Sequence, residues 1–184
     1  MQDDAWSKFS ERVSCEENLH VDSEPLAWPP PASRQLRMVE RNVTALTAIA
    51  ALEERPLETA DDDNPVMQEM LRMDAKLTAL VDIVNQLLVP AAVLPPRQLV
   101  CFNTVGAVLP GTLAPDDGAI VLRPRFDACP GLALELAAQV ERRFPDGRVF
   151  VAFALLGDAL SDAIGRLVFR HHRRKVAEAR QLAG

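Results

Sequence analysis

Residues 64–90 read NPVMQEMLRMDAKLTALVDIVNQLLVP, and within them Val66, Met70, Met73, Leu77, Leu80, Val84 and Leu87 recur at alternating steps of four and three. A helix of 3.6 residues per turn gathers these side chains into one narrow stripe. The spacing therefore predicts a heptad seam, with Met70, Leu77 and Val84 at one seam position and Val66, Met73, Leu80 and Leu87 at the other. Three heptads make a helix on the order of 36 Å long. Asn64 suits its N-cap and Pro65 its first position, Asp61, Asp62 and Asp63 complement the positive pole, and Pro90 stops it. Such a stripe most often lies on its own domain's core. Two features favour self-association: the register is unbroken, and Met67, Val81 and Leu88 widen the apolar face on one flank. Mixed Met, Val and Leu leave the number of helices in the assembly open.

Working outward, Ser33 caps an expected second helix that runs to about Arg55, with Leu36, Val39, Val43, Leu46 and Ala50 on one face. Pro56 and the acidic residues Glu58 to Asp63 separate the two helices, which form a hairpin or stack end to end. Residues 1–32 are acidic and hold Pro25, Pro29, Pro30 and Pro31, which predicts a poorly ordered arm. Trp6, Phe9 and Val13 lie at helical spacing in that arm, and Leu26 and Trp28 are candidate anchors to the body.

Past Pro90 the pattern changes to short apolar runs. Strands are predicted over Gln98–Asn103, Ala107–Leu109, Ala119–Arg123, Leu132–Arg143 and Arg148–Leu155, with Pro-Gly and Asp-Gly turns between them. Asp146-Gly147 joins the last two as a hairpin. From Asp158 the helical period returns, with Leu160, Ile164, Leu167, Val168 and Phe169 expected inward. The fold class is α+β: long heptad helices over 33–89, then a small antiparallel barrel over 90–184 closed by a terminal helix.

The 184 residues are 48% hydrophobic and 25% charged, enough for a packed core. No uncharged run escapes interruption by Pro, Gly or Asn, so no membrane span is expected. Asp3 and Asp4 stand where a secretory signal would be basic, and a cytoplasmic protein is expected. Cys15, Cys101 and Cys129 form no CxxC pair, which points away from zinc motifs and disulfide frameworks. Net charge is −6, yet residues 166–184 carry six bases against Glu178. An acidic total argues against general nucleic-acid binding. No metalloprotease, serine-hydrolase or phosphate-loop motif is present, so no catalytic residues and no cofactor are expected.

The strand ending Val149-Phe150-Val151-Ala152-Phe153, followed by a helix with Ile164, Val168 and Phe169 and the basic run His171 to Lys175, resembles the PilZ domain. The likeness covers about Val89 to Arg180 and implies a six-stranded barrel. The preceding heptad helices resemble a divergent xanthomonad subgroup in which long helices build tetramers, so the likeness implies a homotetramer. PilZ domains generally bind cyclic di-GMP through an RxxxR segment ahead of the barrel and a [Asp/Asn]-x-Ser-x-x-Gly loop. Paired guanidinium forks suit the phosphodiesters, and a carboxylate or amide suits the guanine edge. Here Cys101, Asn103 and Gly106 occupy the loop positions and only the glycine matches. Arg37 and Arg41 spell RxxxR, but on the first helix, far from the barrel in sequence, and the match is read as accidental. Arg97 alone precedes the first predicted barrel strand.

The resemblance thus implies a non-enzymatic adaptor in pilus, motility or virulence control that acts on an unidentified protein partner and does not bind cyclic di-GMP in the usual mode. The alternative is a nucleotide receptor with an altered site drawing on Arg97, Asn103, Arg123 and Arg125. A third reading, RNA binding by Arg170, Arg173 and Arg174, lacks interleaved aromatic residues.

Overall fold

Six antiparallel strands close into one barrel in the order β1-β2-β3-β6-β5-β4 in a computed structural model that describes residues 5–53, 65–88 and 93–182. The strands are β1 (Cys15–Leu26), β2 (Arg97–Phe102), β3 (Gly106–Pro110), β4 (Ala119–Arg125), β5 (Leu136–Arg143) and β6 (Arg148–Phe153). Four helices accompany them among the described residues: α1 (Ala5–Ser10), α2 (Ala32–Glu53), α3 (Pro65–Leu88) and α4 (Asp158–Leu182).

Side chains alternate across the barrel wall as the pleat requires. On β4, Ile120 and Leu122 point into the barrel core, while Ala119 and Val121 are buried on the outside against Met38 of α2. On β6, Val149 and Val151 point inward and Phe150 outward against Phe9 of α1. The turn expected at Asp146-Gly147 joins β5 to β6. Gly147 takes a positive φ of 83°, and the Asp146 carboxylate accepts the backbone N–H of Arg148 at 3.1 Å.

Residues 1–32, expected to be a poorly ordered arm, instead supply α1 and the strand that closes the barrel. Cys15 to His20 pair with β2, and His20 to Leu26 pair with β4, so one strand serves both edges. The barrel is therefore not confined to residues 90–184. Alternation along β1 is broken because Glu17 and Ser23 share the inward phase of Cys15, Leu19 and Val21. Each of the two has a distant polar partner: Glu17 meets His171, and the Ser23 hydroxyl donates to the carbonyl of Leu113.

Helix α2 turns a different face inward from the one expected. Met38, Asn42, Ala45, Leu46 and Ile49 are buried, whereas Leu36, Val39 and Val43 are exposed. The reason is Asn42, whose carboxamide pairs with the backbone of Glu135 in both directions: Nδ2 donates to its carbonyl at 2.8 Å and Oδ1 accepts its N–H at 2.6 Å. A buried amide satisfied on both sides stands where a polar residue seemed to mark the solvent side. On α4, Leu160, Ile164, Leu167 and Val168 enter the core, but Phe169 is exposed and lies beside the guanidinium of Arg173. The inward position past Val168 is taken by His171.

Replacing Leu19, 3% exposed, by Ala should cost about 2–4 kcal/mol, read from the midpoint of urea unfolding. A change within about 0.5 kcal/mol, as for a surface residue, would contradict a structural β1.

Candidate functional site

The degenerate ligand loop, Cys101 to Gly106, is packed against the chain's own residues. Asn103 is buried; its Nδ2 donates to the carbonyl of Phe9 at 2.9 Å, and its Oδ1 accepts the N–H of Val105 at 2.8 Å. Gly106 is required by packing, since a Cβ there would come within 2.2 Å of the Val151 carbonyl oxygen. Cys101 is half-buried against the cluster that α1 forms with Phe150 and Phe144. Trp6 and Phe9 stack at 5.6 Å, and the Arg142 guanidinium lies over the rings of Trp6 and Phe144. Arg12 donates to the Thr104 hydroxyl at 2.7 Å, fixing the chain after α1 to the same loop. Val13 is exposed.

Arg97 stands at the far end of β2, roughly 20 Å along the strand from Asn103. Its guanidinium is held by Asp127 at 2.6 Å and by the Asn18 carbonyl at 2.7 Å. Arg97 and Asn103 therefore share no site.

A second polar face lies where β1 and β4 meet α2. Arg125 donates to Asp22 at 2.6 Å, and Arg123 contacts Asp22 at 3.3 Å and Glu24 at 2.7 Å. Arg34 also pairs with Glu24. Arg41, the second arginine of the RxxxR spelling, reaches Glu135 at 2.7 Å and so sits beside Arg123, which approaches the same oxygen at 3.7 Å. Arg123 and then Arg34 hold the Glu24 carboxyl below the usual range. Arg41, Arg123 and Arg125 line an open depression of about 710 Å³ with Glu40 and Glu135. Most of the guanidinium forks there face carboxylates.

The most tightly built polar cluster joins β1, α2 and α4. His171 is 6% exposed and lies between Glu17, with Nδ1 at 3.2 Å, and Glu53, with Nε2 at 2.6 Å. Burial would discharge the ring, but hydrogen bonds and charge from the two carboxylates outweigh it and hold the pKa up to about 9. Burial would likewise raise both carboxyls, yet His171 brings each below the usual range, with Cys15 and Lys175 helping at Glu17 and Arg170 at Glu53. Arg170 pairs with Glu53 at 3.2 Å, and Arg174 lies 4.0 Å from it. Two of the three arginines of the RNA reading thus belong to an intramolecular cluster. The Cys15 thiol, pushed up to about 12 by burial and by its bond to Glu17, donates to that carboxylate at 3.1 Å.

On α3 the described seam side chains are exposed in the single chain. Met70, Met73, Leu77, Leu80 and Val84 expose 49–61% of their surface, and Val66 is also exposed. The side chains of Met67, Leu87 and Leu88, and residues Asp61 to Asn64 and Pro90, lie outside the described residues.

A family model described as an atypical PilZ domain, a cyclic di-GMP receptor, matches residues 45–181. Among solved structures, a pathogenic protein from Xanthomonas campestris is described as a new tetrameric PilZ domain self-assembled via an unusual helical bundle. It matches with a TM-score of 0.64 at 24% identity, covering 94% of this chain and 96% of that chain. At that identity the likeness is one of fold. None of the curated proteins compared matches the sequence significantly.

The His171 cluster sets a pH dependence. A ring whose pKa is raised in the folded state contributes fully below about 6.5 and loses its contribution as pH rises through about 9. The lowered carboxyls contribute fully above about 4.5 and lose theirs as pH falls below it. Between pH 6.5 and 9 the unfolding free energy from urea titration should fall by an amount on the order of 3 kcal/mol. His171→Gln should be less stable at pH 6 and nearly flat across that window. Equal slopes for both proteins would contradict the assignment.

Proposed function

Because the chain belongs to the atypical PilZ domain family, we propose that it is a non-enzymatic, self-assembling regulatory protein whose α3 helices pack together while the barrels act through protein contacts. The observation that carries this reading is the exposed stripe on α3, six of whose described side chains keep about half or more of their surface in water in the single chain. Burial of each would recover roughly 1 kcal/mol. Helices in proteins draw most of their stability from packing of an apolar face, and a contiguous apolar stripe marks an interaction surface. The tetrameric helical bundle described for the Xanthomonas campestris protein supports the same arrangement here, with four copies as the expected number.

The packing of Asn103 and Gly106 inside the barrel wall supports an adaptor that does not hold cyclic di-GMP in the usual mode. Pilus, motility or virulence control in the cytoplasm is the setting that the family resemblance implies. A second reading rests on the depression lined by Arg41, Arg123 and Arg125 and on the receptor description of the family. There a nucleotide's phosphodiesters would displace Asp22, Glu24 and Glu135 from guanidinium forks already matched to carboxylates.

Replacing Leu77 and Leu80 together by Asp should reduce the light-scattering mass from several chains to the 20.2 kDa of one, because unpaired carboxylates are costly to bury in a seam. The thermal transition of the barrel should remain, and an unchanged mass would contradict the seam. Calorimetric titration with cyclic di-GMP, with protein in the tens of micromolar, should give no saturable heat. Saturable binding that Arg41→Ala abolishes would establish the second reading instead.

A further inference from the structure

Cys15 and Glu17 stand two residues apart on β1 and turn their side chains to the same side of the sheet, where His171 arrives from α4. The thiol lies 3.1 Å and Nδ1 of His171 lies 3.2 Å from one oxygen, Oε1 of Glu17. The sulfur, oxygen and nitrogen atoms all fall within 4.8 Å of one another. Donor atoms on a tetrahedral zinc ion, with bonds of about 2.0–2.3 Å, stand roughly 3.3–3.6 Å apart. The three groups therefore need shifts of about an ångström to share one ion.

The surroundings complete the arrangement. The other ring nitrogen, Nε2, is held by Glu53 at 2.6 Å, and Glu53 is in turn fixed by Arg170. A carboxylate behind a ring N–H in this way sets the tautomer and orientation of a metal-binding imidazole and raises its basicity. The cluster opens on one side to a depression of about 670 Å³ whose lining includes Phe126, Asp127, Lys175 and Glu178, which gives an ion a route in. Lys175, 4.0 Å from Glu17, has a half-exposed side chain that can swing to water.

We propose that Cys15, Glu17 and His171 form a three-ligand site for a divalent d-block cation, zinc above all, with its fourth position facing that depression. One thiolate, one imidazole and one carboxylate are the donor types that zinc accepts, whereas magnesium and calcium prefer oxygen alone. The charge balances. Binding releases the thiol proton and the Nδ1 proton, and the divalent ion replaces those two positive charges. The total charge of Cys15, Glu17, Glu53, His171 and the ion together therefore equals that of the protonated cluster, and burial opposes the exchange no more than it opposes that cluster. Sequence spacing concealed the set, because its third member lies 154 residues beyond Glu17 and no Cys pair announces it.

The test is titration of the untagged full chain, freed of metal with a chelator, with cobalt(II) followed by absorption. The expected result is saturation at one equivalent with a near-ultraviolet sulfur-to-cobalt charge-transfer band that zinc abolishes by displacement. Cys15→Ala should lose the band, Cys101→Ala should keep it, and Glu53→Gln should weaken binding about tenfold. Zinc should also raise the melting temperature of the wild-type chain but not that of Cys15→Ala, a small buried replacement that leaves the His171 ion pairs in place. Absence of the band, or a band that survives Cys15→Ala and disappears with Cys101→Ala, would overturn the proposal.

Discussion

Closure of the barrel by β1 is the constraint on which the rest of the structure depends. Without β1, the five-stranded sheet β2-β3-β6-β5-β4 would expose two rows of unpaired backbone groups at its edges, and β1 satisfies both by pairing first with β2 and then with β4. That path carries Glu17 to the inner side of the sheet, where a lone carboxylate would be expensive. His171 from α4 and Glu53 from α2 resolve the cost by placing one imidazolium between two carboxylates. The clamp ties the first strand, the second helix and the last helix together at a single point. The seating of both helices on β1 thus shares one electrostatic contact beside the apolar core.

The same economy governs what remains for function. On the β1–β4 face, Arg34, Arg41, Arg123 and Arg125 meet Asp22, Glu24 and Glu135, so strong positive and negative groups largely cancel within the chain. At the other end, α1 lays Trp6 and Phe9 over Phe150, beside the loop from Cys101 to Gly106. The barrel satisfies its own polar groups, whereas α3 presents apolar side chains to water.

Much of the fold was legible in local patterns. The strands after residue 97 alternate cleanly between Pro-Gly and Asp-Gly turns, and their ends fall within a few residues of those expected, apart from β5. That strand begins at Leu136 rather than Leu132, because Leu134 instead bonds the carbonyl of Pro124. What escaped was set by distant partners. Glu17 and Ser23 broke the alternation of β1, since their partners lie in α4 and near Leu113. Asn42 hid the buried face of α2, since its partner is the backbone of Glu135. His171 belongs to a basic run in sequence, and only the arrival of Glu17 and Glu53 makes it a buried cation. Helix α3 was plain from spacing alone, because a 3.6-residue period is a local pattern that needs no partner from elsewhere in the chain.

The central claim is that α3 is held by other copies of the chain rather than by its own barrel. Amide hydrogen exchange along the wild-type chain, with protein in the tens of micromolar, tests it most directly. Packed in an assembly, the amides of residues 65–88 should exchange as slowly as those of the barrel strands. Exchange there at rates typical of an unprotected helix, while β1 and β6 stay protected, would contradict assembly through α3.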